Sequence, residues 1–248
     1  TSILLGSERP ILLLAKRPDH GLAEEVAPRS ACFGVMLPYS PLHHMLLKET
    51  GFPVVATSGN LSDEPIATDN DEALNRLKGI ADVFLMHDRP IARPCDDSVV
   101  RLARGREMVL RRARGYAPLP VLVSHPLPAL LAVGAHLKNA VAIAIRNQVH
   151  VSQHIGDLDT LEARGAFQRS IQDLCRLYRF EPRLVVCDMH PDYASTRWAR
   201  ASGLPVIAVQ HHEAHAASCA AENDVQGPYL AACWDGTGYG TDGTFGVQ

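Results

Sequence analysis

The stretch 130-LLAVGAHLKNAVAIAIRNQVHVSQ-153 decides how this chain folds. Three short apolar runs follow one another in it, at 130–134, 141–146 and 148–153. Runs of this length, aliphatic and broken by glycine or polar residues, predict buried strands. A helical pattern follows over 159–178, with Leu161, Phe167, Ile171, Leu174, Leu177 and Tyr178 on one stripe. Beyond it the expectation alternates: strand 184–187, helix 193–202, strand 205–209, helix 213–222, strand 229–234. Three strands in sequence followed by alternation excludes a dinucleotide-binding fold, whose βαβ alternation begins at its first strand.

That order is the one expected of a ribonuclease-H-like half, the unit that actin-like ATPases duplicate. Upstream, 116-YAPLPVLVSHPLP-128 holds four prolines in thirteen residues and no helical period. Proline fixes φ and restrains its predecessor, so an extended connector is expected. We therefore expect a first domain at 1–118, a proline-rich linker at 119–129 and a second domain at 130–248. The first domain reads as mixed α/β: strands at 10–15, 31–36 and 53–57, helices at 42–49 and 69–77, and a hairpin of 98–103 with 107–112 around Arg104-Gly105. The whole is thus α/β, a mixed domain followed by a ribonuclease-H-like half.

Composition narrows the function. The 248 residues carry 24 Lys+Arg against 27 Asp+Glu, a net charge of −3, which argues against a general nucleic-acid coat. No run of about 18 apolar residues exists, so no membrane span is expected. The six cysteines (32, 95, 175, 187, 219, 233) are scattered without a CxxC pair. Reduced thiols in a cytoplasmic protein suit that usage better than a disulfide framework. The first residues, TSILLGSERP, lack the basic and apolar regions of a signal peptide.

Two motifs carry metal or phosphate chemistry. In 211-HHEAH-215, His211 and His215 are four apart and share a helix face, so both can reach one metal. HExH is one residue short of the zinc-protease HExxH, which excludes that class. The other reading is a helix N-terminus with solvated histidines. Twenty residues on, 233-CWDGTGYGTDG-243 places Asp235 after an apolar run and before Gly236, Thr237 and Gly238. Glycines let backbone amides approach phosphate oxygens, and a carboxylate beside them can hold a metal; the alternative is a glycine-rich hairpin turn. Together His211, His215 and Asp235 would form an N₂O site for Zn²⁺ or Fe²⁺ with open positions. In the first domain, Ser58 and Asn60 of 57-TSGNLSDEP-65 can donate to a phosphate or carbonyl, unless they form an ordinary turn. Arginines 89, 93, 101, 104, 106, 111, 112 and 114 suit phosphate, although a solvated basic face has the same composition. A nucleophile is poorly supported: no GxSxG occurs, and Asp96 and Asp97 disfavour a Cys95 thiolate.

These motifs coincide with a family. The runs 36-MLPYSPLHHMLL-47, 57-TSGNLSDEPIA-67, 87-HDRPIARPCDDSVVR-101 and 110-LRRARGYAP-118 resemble the YrdC-like domain of the hydrogenase maturation carbamoyltransferases, the HypF family. In the same order, 133-VGAHLKNAVAIA-144, 152-SQHIGDLD-159, 187-CDMHPDYASTRWA-199, 210-QHHEAHAAS-218 and 234-WDGTGYGTDGT-244 resemble the start of that family's actin-like, carbamoyl-transferring domain. The resemblance implies that carbamoyl phosphate and ATP, with Mg²⁺, form carbamoyl-adenylate in the first domain. The carbamoyl group then passes to the C-terminal cysteine of a partner maturation protein, as a thiocarboxamide destined to become a cyanide ligand of [NiFe]-hydrogenase. Carried over, Ser58, Asn60, Ser98 and Arg111 would contact the adenylate. His211, His215 and Asp235 would hold the Zn²⁺ or Fe²⁺, and Gly236, Thr237 and Gly238 would lie along a nucleotide phosphate.

The family's acylphosphatase domain, its Cys-rich zinc fingers and the continuation after Thr244 have no counterpart in these residues. An excerpt of a longer pattern, incomplete in both domains, is therefore expected. No general base can be named, and nucleic acid is not an expected partner. The competing functions are tRNA threonylcarbamoylation, whose two enzymes resemble these domains separately, and a docking module without catalysis.

Overall fold

The computed structural model describes residues 2–62, 64–236, 238–243 and the backbone of 245–246. The chain divides into two units, one of residues 1–60 with 66–116, the other of 61–65 with 117–248.

In the first unit a short helix, α1 (Ser2–Leu5), precedes strand β1 (Ile11–Ala15) and strand β2 (Cys32–Val35), with a 3₁₀ turn at Glu24–Val26 between the strands. Helices α2 (Pro41–Thr50) and α3 (Asn70–Leu77) follow, then β3 (Val99–Ala103) and β4 (Arg106–Arg111). The sheet order is β2-β1-β3-β4, with β1 parallel to β3 and the other pairs antiparallel. Arg104 and Gly105 both take positive φ, as a two-residue primed turn requires to match the strand twist. The helices end where their chemistry says. Ser40 accepts from the His43 N–H and Pro41 opens α2, while Gly51 closes it in the left-handed conformation. The Asp69 carboxylate accepts from the N–H groups of Asp71 and Glu72 to start α3. The core here is small: Leu12, Val100 and Ala113 are fully enclosed.

The expected strand at 53–57 does not form, and Val54 and Val55 are exposed. An aliphatic run has strand propensity only where a neighbouring ladder is available to it.

The second unit is built on β5 (Pro120–Ala132), β6 (Ala142–Val151), β7 (Leu184–Asp188) and β8 (Val206–Val209), in the order β6-β5-β7-β8. Its helices are α4 (Leu161–Tyr178), α5 (Ala194–Ala201) and α6 (His211–Glu222), and a two-strand ladder joins β9 (Gly238–Tyr239) to β10 (Phe245–Gly246). β5 and β6 are antiparallel, whereas β5, β7 and β8 run parallel. Leu131, Val133, Val141, Ile143, Leu158, Val185 and Cys187 form the core with Phe167, Ile171 and Leu174 of the α4 stripe. Phe167 meets Trp198 edge-on at 5.7 Å.

Three expectations change in this unit. The proline-rich stretch expected as a linker is most of β5. Its prolines lie where only β6 is paired to it, and the register slips between Leu122 and Leu127 and again between Leu127 and Leu130. Proline lacks a ladder donor, and an irregular, one-sided stretch accommodates that loss. The runs 141–146 and 148–153 merge into β6, which passes through Arg146 at φ 57°. The strand expected at 229–234 is absent, and Leu230 and Trp234 are almost wholly exposed. The alternation of α4, β7, α5, β8 and α6 is as expected. No helix among the described residues is long and apolar enough to cross a membrane.

Candidate metal centre and glycine loop

The site lies where two parallel strands end, the edge at which open α/β sheets place ligands. Asp188 is the last residue of β7 and pairs with Val209, the last residue of β8. A single residue, Gln210, separates β8 from α6, and its side-chain oxygen accepts from the Glu213 N–H to cap the helix. The helix therefore begins at His211, two residues earlier than its apolar pattern indicates, because the cap is a glutamine and not one of the usual short polar residues.

This start places both histidines in the first turns of α6, their ring centroids 4.8 Å apart. Asp235 reaches the same face: its Oδ2 lies 2.8 Å from His211 Nε2 and 3.0 Å from His215 Nε2. The three candidate ligand atoms all fall within 4.8 Å of one another. Burial alone would push the Asp235 carboxyl up. The Gly236 N–H, which donates to Oδ1 at 2.8 Å, and the two imidazoles outweigh it and hold the group below the usual carboxylate range.

His211 is flanked by carboxylates on both ring nitrogens. Its Nδ1 lies 2.6 Å from Asp188 Oδ2, opposite the Nε2 that faces Asp235. A neutral imidazole has one N–H and can donate to only one of them. A cation between Nε2, His215 and Asp235 would satisfy the other side, and two imidazoles with one carboxylate are a donor set suited to Zn²⁺ or Fe²⁺. The residues thus fit the metal expected from the sequence, and half-exposed His215 leaves the outer side open to a further ligand.

Aromatic rings border the site. His190 stacks on Tyr193 at 4.0 Å and nearly parallel, and Tyr239 lies 5.5 Å from His190. Burial raises the Tyr193 phenol, and the charges of Asp188 and Asp235 raise it further.

The glycine loop packs tightly on α6. A Cβ at Gly238 would stand 2.7 Å from Cε1 of the buried His212 ring. Gly236 is exposed, with its N–H on Asp235 in this conformation. Thr237 lies outside the described residues.

The adenylate candidates are in the first unit. Ser58 is exposed and Asn60 half-buried, in the loop that follows 53–57. Arg111 ends β4 and donates from Nε to the Asp97 carbonyl at 3.0 Å. Ser98 departs from its expected role: it is fully buried, accepts from the Ala113 N–H at 2.8 Å and donates to the Arg114 carbonyl at 2.9 Å. A hydroxyl so enclosed braces the backbone and is not presented to a ligand. Asp188 was not among the expected site residues. A carboxylate ending a strand one strand before the histidine helix is the sequence signal that could have found it.

Residues 125–222 match the family model of the HypF Kae1-like domain, and residues 2–113 match that of the Sua5/YciO/YrdC proteins, described as telomere recombination. The carbamoyltransferase HypF of Synechocystis sp. is 51% identical over 98% of this chain and 32% of its own length. That of Rhizobium leguminosarum bv. viciae is 41% identical over 98% of this chain and 33% of its own. A crystal structure of full-length HypF in the phosphate- and nucleotide-bound form is 46% identical with a TM-score of 0.92, over 98% of this chain and 38% of that one. The T. kodakarensis HypF structure is 37% identical with a TM-score of 0.87, over 95% of this chain and 32% of that one. The chain spans about a third of the length of the curated relatives it matches.

Proposed function

We propose, from the premise that the chain belongs to the HypF family, that it carries parts of two sites of an ATP-dependent carbamoyltransferase of [NiFe]-hydrogenase maturation. The first unit takes part in forming carbamoyl-adenylate from carbamoyl phosphate and ATP, with Mg²⁺ on the phosphates. The second takes part in passing the carbamoyl group to the C-terminal cysteine thiol of a partner maturation protein in the cytoplasm. The convergence of His211, His215 and Asp235 on one point, in the unit that matches the carbamoyl-transfer domain, carries this reading.

Each residue has a definite part in it. His211 and His215 offer Nε2 and Asp235 offers Oδ2 to a Zn²⁺ or Fe²⁺ ion, which when bound supplies a Lewis acid for an oxygen of the carbamoyl group or the nucleotide. Gly238 keeps the loop close to α6, and Gly236 and Gly238 lie along a nucleotide phosphate. In the first unit Arg111 neutralises phosphate charge, while Ser58 and Asn60 orient the adenylate through hydrogen bonds.

The direct test is metal analysis of the 248-residue chain beside its His211→Ala/His215→Ala variant. Stoichiometric metal in the wild type and none in the variant is expected, and equal content in both would refute the site. For the activity, a full-length relative should show carbamoyl-phosphate-dependent exchange of pyrophosphate into ATP. A requirement for threonine and bicarbonate in its place would assign the chemistry to threonylcarbamoylation.

A further inference from the structure

The geometry points to Asp188 as a positioning residue for the metal centre: it fixes which ring nitrogen of His211 is offered to the ion. This inference rests on the metal-binding reading above. Asp188 is itself held on several sides. It ends β7 in register with Val209, its carbonyl accepts from the Thr196 hydroxyl at 3.0 Å, and its side chain is 6% exposed. Its two carboxylate oxygens have separate partners. Oδ1 accepts from the His190 backbone N–H at 2.8 Å, and Oδ2 lies 2.6 Å from His211 Nδ1.

With the Nδ1 proton drawn to Asp188, the lone pair of His211 is left on Nε2, on the side of His215 and Asp235. A carboxylate behind a ligating imidazole also raises the basicity of the free nitrogen and stops rotation of the ring. Only an anion with two acceptor oxygens can serve both partners of Asp188. The isosteric amide has one acceptor oxygen, so Asp188→Asn must leave either the His190 N–H or the His211 Nδ1–H facing an amide NH₂. The side chain keeps its shape while the control of the tautomer is lost.

The test is zinc affinity of the full 248-residue chain, measured by competition with a chromophoric chelator. Asp188→Asn should bind Zn²⁺ about 10–100-fold more weakly than wild type, the usual consequence of removing such a partner. Affinity within twofold of a zinc-binding wild type would overturn the proposal and leave the ligand assignment standing. Failure of the wild type itself to bind zinc would overturn both. A second measurement needs no variant. In the zinc-loaded wild type, ¹⁵N shifts should show His211 protonated at Nδ1 and metal-bound at Nε2; metal on Nδ1, or a proton on neither nitrogen, would overturn the role of Asp188.

Discussion

Replacing Gly238 by alanine tests the packing that joins the glycine loop to the histidine helix. The new Cβ would lie 2.7 Å from Cε1 of His212 and 3.0 Å from both of its ring nitrogens. Non-bonded carbons rest at about 3.5–4.0 Å, so the loop or the ring must give by roughly 1 Å. The ring has little freedom, because His212 is 5% exposed. Overpacking of this kind costs about 1–3 kcal/mol, offset by about 0.4–1 kcal/mol from the stiffer unfolded chain. The net loss expected is about 1–2 kcal/mol, read as a lower urea midpoint at unchanged slope. Asp235 is three residues upstream, and its contacts of 2.8 and 3.0 Å to the two imidazoles do not survive a shift of that size. Zinc affinity should fall with stability. His212→Ala removes the obstructing ring, so Gly238→Ala should cost less in that background. A Gly238→Ala chain as stable as wild type, or one equally destabilised with and without the His212 ring, would refute the reasoning.

Other expectations follow from single contacts. Phe167→Ala should lower the stability of the second unit by about 3–5 kcal/mol in denaturant unfolding, since it empties a buried site against Trp198; a loss below about 1 kcal/mol would contradict the packing. Ser98→Ala should destabilise the first unit by about 1–3 kcal/mol, because it leaves the Ala113 N–H and the Arg114 carbonyl without their partner. An unchanged unfolding curve would return Ser98 to the pool of ligand contacts. The Cys95 thiol is pushed up by burial and then by Asp96, so at pH 8 iodoacetamide should alkylate it more slowly than a free cysteine. Asp96→Asn should speed the reaction, and no change would remove that carboxylate as a cause.

Much of the molecule was legible locally. The α4 stripe, the β7-α5-β8-α6 alternation and the Arg104-Gly105 turn depend on backbone sterics and on side chains within a few residues of each other. The same holds for the pairing of His211 with His215, which four-residue spacing on a helix is enough to ensure. The convergence of Asp235 with them was an expectation from the family pattern and from a strand at 229–234 that does not form; the loop brings the carboxylate there instead.

Other features depended on partners distant in sequence. Residues 53–57 and 229–234 have strand composition and form no strand, while the proline-rich 120–132 forms a long one, because a ladder exists only where a second strand accepts it. Ser98 looked like a ligand contact until the 113–114 backbone enclosed it, and Asp188, just past the expected strand 184–187, gains its part only because His211, 23 residues on, closes against it. Periodicity and capping are properties of neighbouring residues and can be read from the chain alone. Burial and the choice of hydrogen-bond partner are properties of surfaces brought together, and only the folded arrangement of β7, β8 and α6 decided them.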